Sequence, residues 1–129
     1  YNLATPVQLA FATAILANDG VVYKPHIVKH VEDAGTGHKR AIEPEPTRTF
    51  KLSKKNVELV TAAMVDVTRT GGTAAKAFAG AEYASGGKTG TAQVIGLKAG
   101  EKYDANKIAE KYRDHALYVA FAPADKPTI

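Results

Sequence analysis

Gly86-Gly87-Lys88-Thr89-Gly90-Thr91-Ala92-Gln93 is the stretch on which the fold of this chain turns. It offers two incompatible local structures. Gly87-Lys88-Thr89 has the ending of a phosphate-binding loop, which cradles phosphates and then opens a helix. That pattern requires a glycine where the chain has Glu82, whose carboxylate would repel phosphate. It also requires a helix directly after the lysine, and Gly90 stands there instead. The other structure is a strand. Period-two alternation then puts Thr89 and Thr91 on one face and Lys88 on the other. Two hydroxyls on one face can grip a carboxylate, and Gly90 keeps side-chain bulk away from a ligand along the strand edge. A backbone N–H there can stabilise an oxyanion, while a fixed cation lowers the cost of developing negative charge. To join the threonines, Lys88 has to reach around a twisted or bent edge.

Outward from this stretch, residues 83–94 read as extended. Residues 115–122 form the clearest strand, built from Ala, Leu, Tyr, Val and Phe and ended by Pro123. Between them, residues 96–114 are polar, charged and weakly helical near 105–112. Upstream, Ser53 is placed to cap a helix over 54–69. Val57, Val60, Ala63, Met64 and Val67 recur there at helical spacing, Leu59 widens the stripe, and Gly71-Gly72 stops it. Thr73 is read as the cap of a short helix through Phe78, broken by Gly80. Thr5, Pro6 and Gln8 make a capping box for a first helix. Its broad apolar face is Val7, Ala10, Phe11, Ala14, Ile15 and Ala17, and Asn18-Asp19-Gly20 ends it. A short extended piece at 21–23, a strand at 26–32, a turn at 33–38 and a returning strand at 39–43 follow. Pro44 and Pro46 interrupt that strand, and 47–52 is an extended lead-in. Helix, strands, helix, strand, strand predicts an α+β fold, an antiparallel sheet with helices packed on it.

Composition narrows the classes. The chain has 129 residues, 45% hydrophobic and 23% charged, which suits one globular domain rather than a disordered chain. Cysteine is absent, so disulfides and thiolate-bound zinc or iron–sulfur sites are excluded. The longest apolar stretch, residues 9–17, falls far short of the roughly 18 residues of a membrane helix. Seventeen basic and thirteen acidic residues give +4. The excess is local: Lys39, Arg40, Arg48, Lys51, Lys54 and Lys55 face Glu43 and Glu45. A nucleic-acid groove would interleave aromatics with these, and Phe50 stands alone. The region reads as a solvated face, with attraction to an anionic polymer or lipid surface as the alternative. With no initiator Met and with Thr128-Ile129 reading like the start of another strand, the chain is expected to be a piece of a larger protein, incomplete at both ends.

Lys88-Thr89-Gly90 alone is a weak signature, and its surroundings strengthen it. Ala4-Thr5-Pro6-Val7-Gln8-Leu9-Ala10, Ala17-Asn18-Asp19-Gly20, Gly72-Thr73-Ala74, Gly87 to Gln93 and Tyr118-Val119-Ala120-Phe121-Ala122-Pro123 stand in one order. In that order they resemble the transpeptidase domain of class B penicillin-binding proteins. Residues 94–123, with Gly96-Leu97-Lys98, Tyr103, Lys107-Ile108-Ala109-Glu110 and Arg113-Asp114-His115, are most similar to the elongation-specific penicillin-binding protein 2 branch. The resemblance covers essentially the whole chain and implies the C-terminal portion of a domain with the penicillin-binding, serine β-lactamase-like fold.

What the resemblance implies is specific. Such enzymes crosslink peptidoglycan stem peptides: a serine attacks a D-alanyl-D-alanine bond, D-alanine leaves, and the acyl group passes to an amine. Penicillins and other β-lactams acylate the same serine. Lys88 takes the place of the family's Lys-Thr-Gly lysine, Thr89 and Thr91 the carboxylate-binding hydroxyls, and the Thr91 N–H an oxyanion donor. Tyr103, Tyr112 and Arg113 become candidates for the cleft rim. No cofactor or metal is required. The chain's serines are Ser53 and Ser85. No Ser-x-x-Lys pair is read at either, and Ser53-Lys54-Lys55-Asn56, with the wrong spacing for Ser-x-Asn, is better explained as a helix cap. The nucleophilic serine, its lysine and the Ser-x-Asn motif are therefore expected upstream of Tyr1, and the chain alone is expected to be inactive. Implied partners are the upstream part of the same protein, glycan-polymerising enzymes and cell-elongation proteins, with no nucleic acid. The implied location is the periplasmic face of the bacterial inner membrane, reached through an N-terminal anchor. The alternatives are a D-Ala-D-Ala carboxypeptidase, a serine β-lactamase, or a non-catalytic β-lactam sensor of the same fold.

Other candidates receive plainer readings. His26 and His30 would suit a metal on a helix, but Pro25 and β-branched neighbours argue for a strand that sets them apart. His115, beside Asp114, is read as structural. Glu101, Asp104 and Glu110 sit among Lys102, Lys107 and Lys111 in a solvated loop.

Overall fold

The computed structural model describes residues 3–129. They form two compact units, one up to residue 61 and one from residue 62.

The first unit opens with α1, Pro6–Ala17. The predicted capping box is present: Thr5 Oγ1 accepts from Gln8 N–H at 3.3 Å and Gln8 Oε1 accepts from Thr5 N–H at 2.8 Å. At the exit, Asp19 has φ 51° and Gly20 has φ 87°. A Cβ on Gly20 would overlap the Phe50 carbonyl, and Phe50 N–H donates to Gly20 O at 2.9 Å. The glycine thus lets two distant segments meet. There β1, Val21–Tyr23, pairs antiparallel with a later strand, Pro46–Thr49, with Val21 opposite Thr49 and Val22 opposite Arg48. That later strand is β4. Between them, β2 (His30–Glu32) and β3 (Lys39–Ala41) form an antiparallel hairpin with His30 opposite Ala41. The expected strands 26–32 and 39–43 are both shorter than the sequence suggested. Pro25 and a local bond from His26 Nδ1–H to Val28 O, 2.8 Å, keep residues 26–29 out of the ladder. Pro44 limits β3 at its other end. The apolar side of α1 is only half-covered, with Phe11 and Ile15 partly buried and Val7 exposed. It lines an open groove of about 390 Å³ together with Val21, Tyr23 and Pro25.

The helix α2 spans Lys54–Asp66, starting where Ser53 O accepts from Asn56 and Val57 N–H. It ends three residues before the predicted 69. Thr68 and Arg69 N–H bond back to Val65 O and Asp66 O, closing tighter turns that finish the helix. Val57, Met64 and Val65 are buried. Leu59, expected on the apolar stripe, is 69% exposed. Residues 73–78 form no helix. Ala75, Ala77 and Ala81 N–H each bond three residues back, giving successive turns. The alanine-rich run has the propensity but lacks the length to repay nucleation.

In the second unit β5 (Gly86–Ala92) and β6 (His115–Phe121) pair antiparallel over their whole length, with Phe121 buried at the end. β5 is shorter than the predicted 83–94. The connection holds two single 3₁₀ turns, Ala105–Lys107 and Glu110–Tyr112, where weak helix was expected. The observed fold is therefore α+β and antiparallel, but in place of the one expected sheet the described residues form three separate two-stranded sheets, two in the first unit and one in the second.

Candidate functional site

The strand reading of residues 86–93 holds, and it removes the phosphate-loop alternative: the backbone runs extended through Gly90 to Ala92 with no helix after Lys88-Thr89. Register fixes the faces. Gly87, Thr89 and Thr91 share one face with Ala120, Tyr118 and Ala116 opposite them. Gly86, Lys88 and Gly90 share the other with Phe121, Val119 and Leu117. Among the described residues β6 is the one strand paired with β5, so the other edge of β5 has no strand on it.

The two glycines before Lys88 make room for aromatic rings. A Cβ on Gly86 would overlap the Phe121 ring, and one on Gly87 would overlap the Tyr118 phenol. Tyr118 also packs on Phe78, ring centroids 5.8 Å apart and tilted by 47°. Partial burial, with Tyr83 nearby, raises the Tyr118 pKa above the ordinary tyrosine value. Gly90 differs: a Cβ there would meet nothing nearer than Leu117 Cβ at 4.0 Å. Internal packing does not demand a glycine at 90.

Lys88 starts on the face opposite the threonines, yet its Nζ donates to the backbone carbonyl of Thr89. The ammonium is thus drawn toward the plane of the strand. Thr89 Oγ1 lies 2.9 Å from Thr73 Oγ1, while Thr91 is exposed opposite the small Ala116. Sequence reasoning missed the contributions of Thr73, Phe78 and Tyr118. The paired glycines ahead of Lys88 were the available signal, since two missing side chains invite two rings.

The rim candidates are used by their own loop. Tyr103 Oη accepts from Asp114 N–H at 2.9 Å, and Arg113 Nε donates to Ile108 O at 3.2 Å. Lys111 Nζ lies 4.9 Å from the centroid of the half-exposed Tyr112 ring. Asp114 Oδ1 accepts from Val94 N–H at 3.2 Å, prolonging the hairpin by one side-chain bond, and His115 pairs with Ala92. Asp104 caps the first 3₁₀ turn through Asn106 N–H, 3.0 Å, and Glu101 accepts from Lys98 N–H at 3.2 Å. These carboxylates are occupied by the loop's backbone.

Ser85 corrects one reading. Ser85-Gly86-Gly87-Lys88 does spell Ser-x-x-Lys, so the chain holds one such pair. Ser85 is 2% exposed, its hydroxyl has no hydrogen-bond partner, and it leads into a strand rather than a helix. Residues three apart on a strand point to opposite faces, so Lys88 does not attend Ser85 as a base. In the first unit, Lys39 pairs with Glu32 at 3.4 Å, Lys54 approaches Glu58 at 3.9 Å and Arg48 stacks on Phe50 at 4.3 Å, as a solvated face does.

Comparison with known proteins gives the family. Residues 3–129 match the family described as the penicillin binding protein transpeptidase domain. The peptidoglycan D,D-transpeptidase MrdA of Escherichia coli K12 is 42% identical over 130 residues, covering 100% of this chain and 20% of that protein. MrdA of Haemophilus influenzae is 40% identical over 135 residues, again 100% of this chain and 20% of the relative. The chain thus spans about a fifth of the length of the curated relatives it matches. The crystal structure of Pseudomonas aeruginosa PBP2 superposes with a TM-score of 0.66 at 37% identity, covering 96% of this chain and 24% of that one. With all but its first two residues inside the family match, and with Lys88-Thr89-Gly90-Thr91 on a strand, the chain belongs to the penicillin-binding protein transpeptidase domain family, in the class B group that holds PBP2 and MrdA.

Proposed function

We propose that this chain supplies the Lys-Thr-Gly-Thr wall of a serine-type peptidoglycan D,D-transpeptidase that crosslinks stem peptides and is acylated by β-lactams. The nucleophilic serine, its lysine and the Ser-x-Asn motif come from polypeptide outside residues 1–129. The observation that carries the reading is the shared face of Thr89 and Thr91 on a strand with one unpaired edge among the described residues. A D-alanyl-D-alanine end and a penicillin both carry a carboxylate, and two hydroxyls on one face suit it.

In this reading the serine oxygen bonds to the penultimate D-alanine carbonyl, the peptide bond breaks, and D-alanine leaves with the proton. An amine of a second stem peptide then takes the acyl group and frees the serine. Lys88 places positive charge beside the serine motifs and the developing anion, and Thr91 N–H donates to the oxyanion. Gly90 leaves space where a side chain would meet the ligand. Tyr103, Tyr112 and Arg113 border the approach to the cleft through the loop they hold together. The E. coli and H. influenzae relatives are named D,D-transpeptidases, which favours transfer over hydrolysis as the fate of the acyl group. The complete protein is proposed to work at the periplasmic face of the inner membrane, anchored by a segment outside this chain. Its proposed partners are glycan-polymerising and cell-elongation proteins. Among the described residues no helix is long and apolar enough to cross a membrane.

The test is mass spectrometry of the complete protein after penicillin treatment. The expected adduct lies on a serine outside residues 1–129, and Lys88→Ala slows its formation by roughly 100-fold or more, as the loss of a fixed transition-state charge does. An adduct on Ser85, or an unchanged rate in Lys88→Ala, overturns the assignment. Incubation with stem-peptide substrates separates the outcomes: crosslinked product supports a transpeptidase, and only shortened peptide supports a carboxypeptidase.

A further inference from the structure

Thr73 stands in a turn, sixteen residues before Thr89, with its hydroxyl 2.9 Å from the Thr89 hydroxyl. Its position is held from both sides. Gly72 N–H donates to Arg69 O at 2.8 Å and Ala74 N–H to Val67 O at 2.9 Å. A Cβ on Gly72 would overlap the carbonyls of Asp66 and Val67, so the turn lies directly on the end of α2. The same helix end is tied to the residue before β5: Thr68 Oγ1 contacts Val65 O at 2.9 Å and Ser85 O at 3.1 Å. Both partners of the hydroxyl pair are therefore anchored to one helix terminus.

A hydroxyl has one proton to give. Thr89 can direct it to Thr73 or to a ligand, not to both. A carboxylate only accepts, so when Thr89 serves one, Thr73 has to be the donor in the pair. We propose that Thr73 is a positioning residue: it donates to Thr89 Oγ1 and so turns the Thr89 proton toward the ligand carboxylate. This rests on the transpeptidase reading above and names a residue through which that site recognises its substrate. Consecutive hydrogen bonds in one direction also polarise each other, so the Thr89 O–H becomes a stronger donor.

The complete protein is treated with a labelled penicillin over a range of concentrations, separating the binding constant from the limiting acylation rate. The methyl ester of the same penicillin serves as the comparison ligand. Thr73→Val is expected to weaken binding of the free acid about 3- to 12-fold, within the range of one neutral hydrogen bond, with the limiting rate within about twofold. Binding of the ester stays within about twofold of the parent, and Thr73→Ser restores the acid. In a Thr89→Val background, adding Thr73→Val changes nothing further, because its route is gone. Equal losses for acid and ester, a loss that persists without the Thr89 hydroxyl, or no loss at all overturns the proposal. Should Thr73→Val not fold, Thr73→Ala set against Thr73→Ser makes the same comparison with the same deciding outcomes. A parent protein that takes up no penicillin overturns the transpeptidase reading and Thr73's role with it. A parent that is acylated while Thr73→Val is silent overturns Thr73's role alone.

Discussion

One hydrogen atom in place of a methyl group at Gly86, and another at Gly87, decides where the Phe121 and Tyr118 rings lie. Close-packed interiors tolerate overlap badly, because a displaced ring must leave its rotamer or move the backbone. Gly87→Ala is therefore expected to destabilise the complete protein by about 1–3 kcal/mol, measured by thermal unfolding. Gly90→Ala meets only open space inside the protein and should leave unfolding within about 0.5 kcal/mol while slowing acylation by penicillin. If both variants melt alike and acylate alike, the distinction between a packing glycine and a clearance glycine is wrong.

Among elements, the two hairpins are closed by side chains as well as by backbone. In the β2–β3 turn, Asp33 Oδ1 accepts from Thr36 N–H at 2.7 Å, from the Thr36 hydroxyl at 2.8 Å and from Gly35 N–H at 3.1 Å. These donors favour the carboxylate and hold the Asp33 pKa below the ordinary value. The lowered folded value means the turn's stabilisation is complete above the ordinary carboxylate pKa. It is lost as pH falls through the lower folded pKa. Amide protection at Gly35 and Thr36, taken relative to the intrinsic exchange rate at each pH, should fall only in that acid range, and a fall starting above pH 5 would contradict it. At the other hairpin, Asp114→Ala removes the bond to Val94, at a cost of roughly 1 kcal/mol. Faster amide exchange at Val94, with the exchange of residues 86–90 unchanged, is the expected result. Much of this architecture was legible from local chemistry. Thr5 with Gln8, Gly20 after α1, and the β-rich run of β6 each carry their instruction within a few residues. The β1–β4 pairing was not legible, since Val21–Tyr23 is short and its partner lies beyond a whole hairpin. Residues 73–78 misled because alanine propensity says nothing about length. The strand carrying Lys88, Thr89 and Thr91 could be read, but the hydroxyl of Thr73 could not, because only tertiary packing of the α2 terminus brings it to Thr89.

For the whole molecule, exposed apolar side chains are the telling feature. Large ones such as Leu3, Val7, Ile27 and Leu59 lie largely in solvent. Apolar burial is what offsets chain entropy, so residues 1–129 alone are expected to unfold broadly and bind a hydrophobic dye. A sharp two-state melt without dye binding would contradict this. On the proposed reading the same chain carries one wall of a site, and it is expected to form no penicillin adduct by itself. The wall nonetheless has its own safeguard. Sliding β6 by one position against β5 would set either the Phe121 ring onto Ser85 or the Tyr118 ring onto Lys88, since of residues 85–88 only Gly86 and Gly87 lack a side chain. The vacant pair works as a notch that admits one threading of the hairpin, and a mis-threaded copy, which would send both threonines to the wrong side, is rejected by collision.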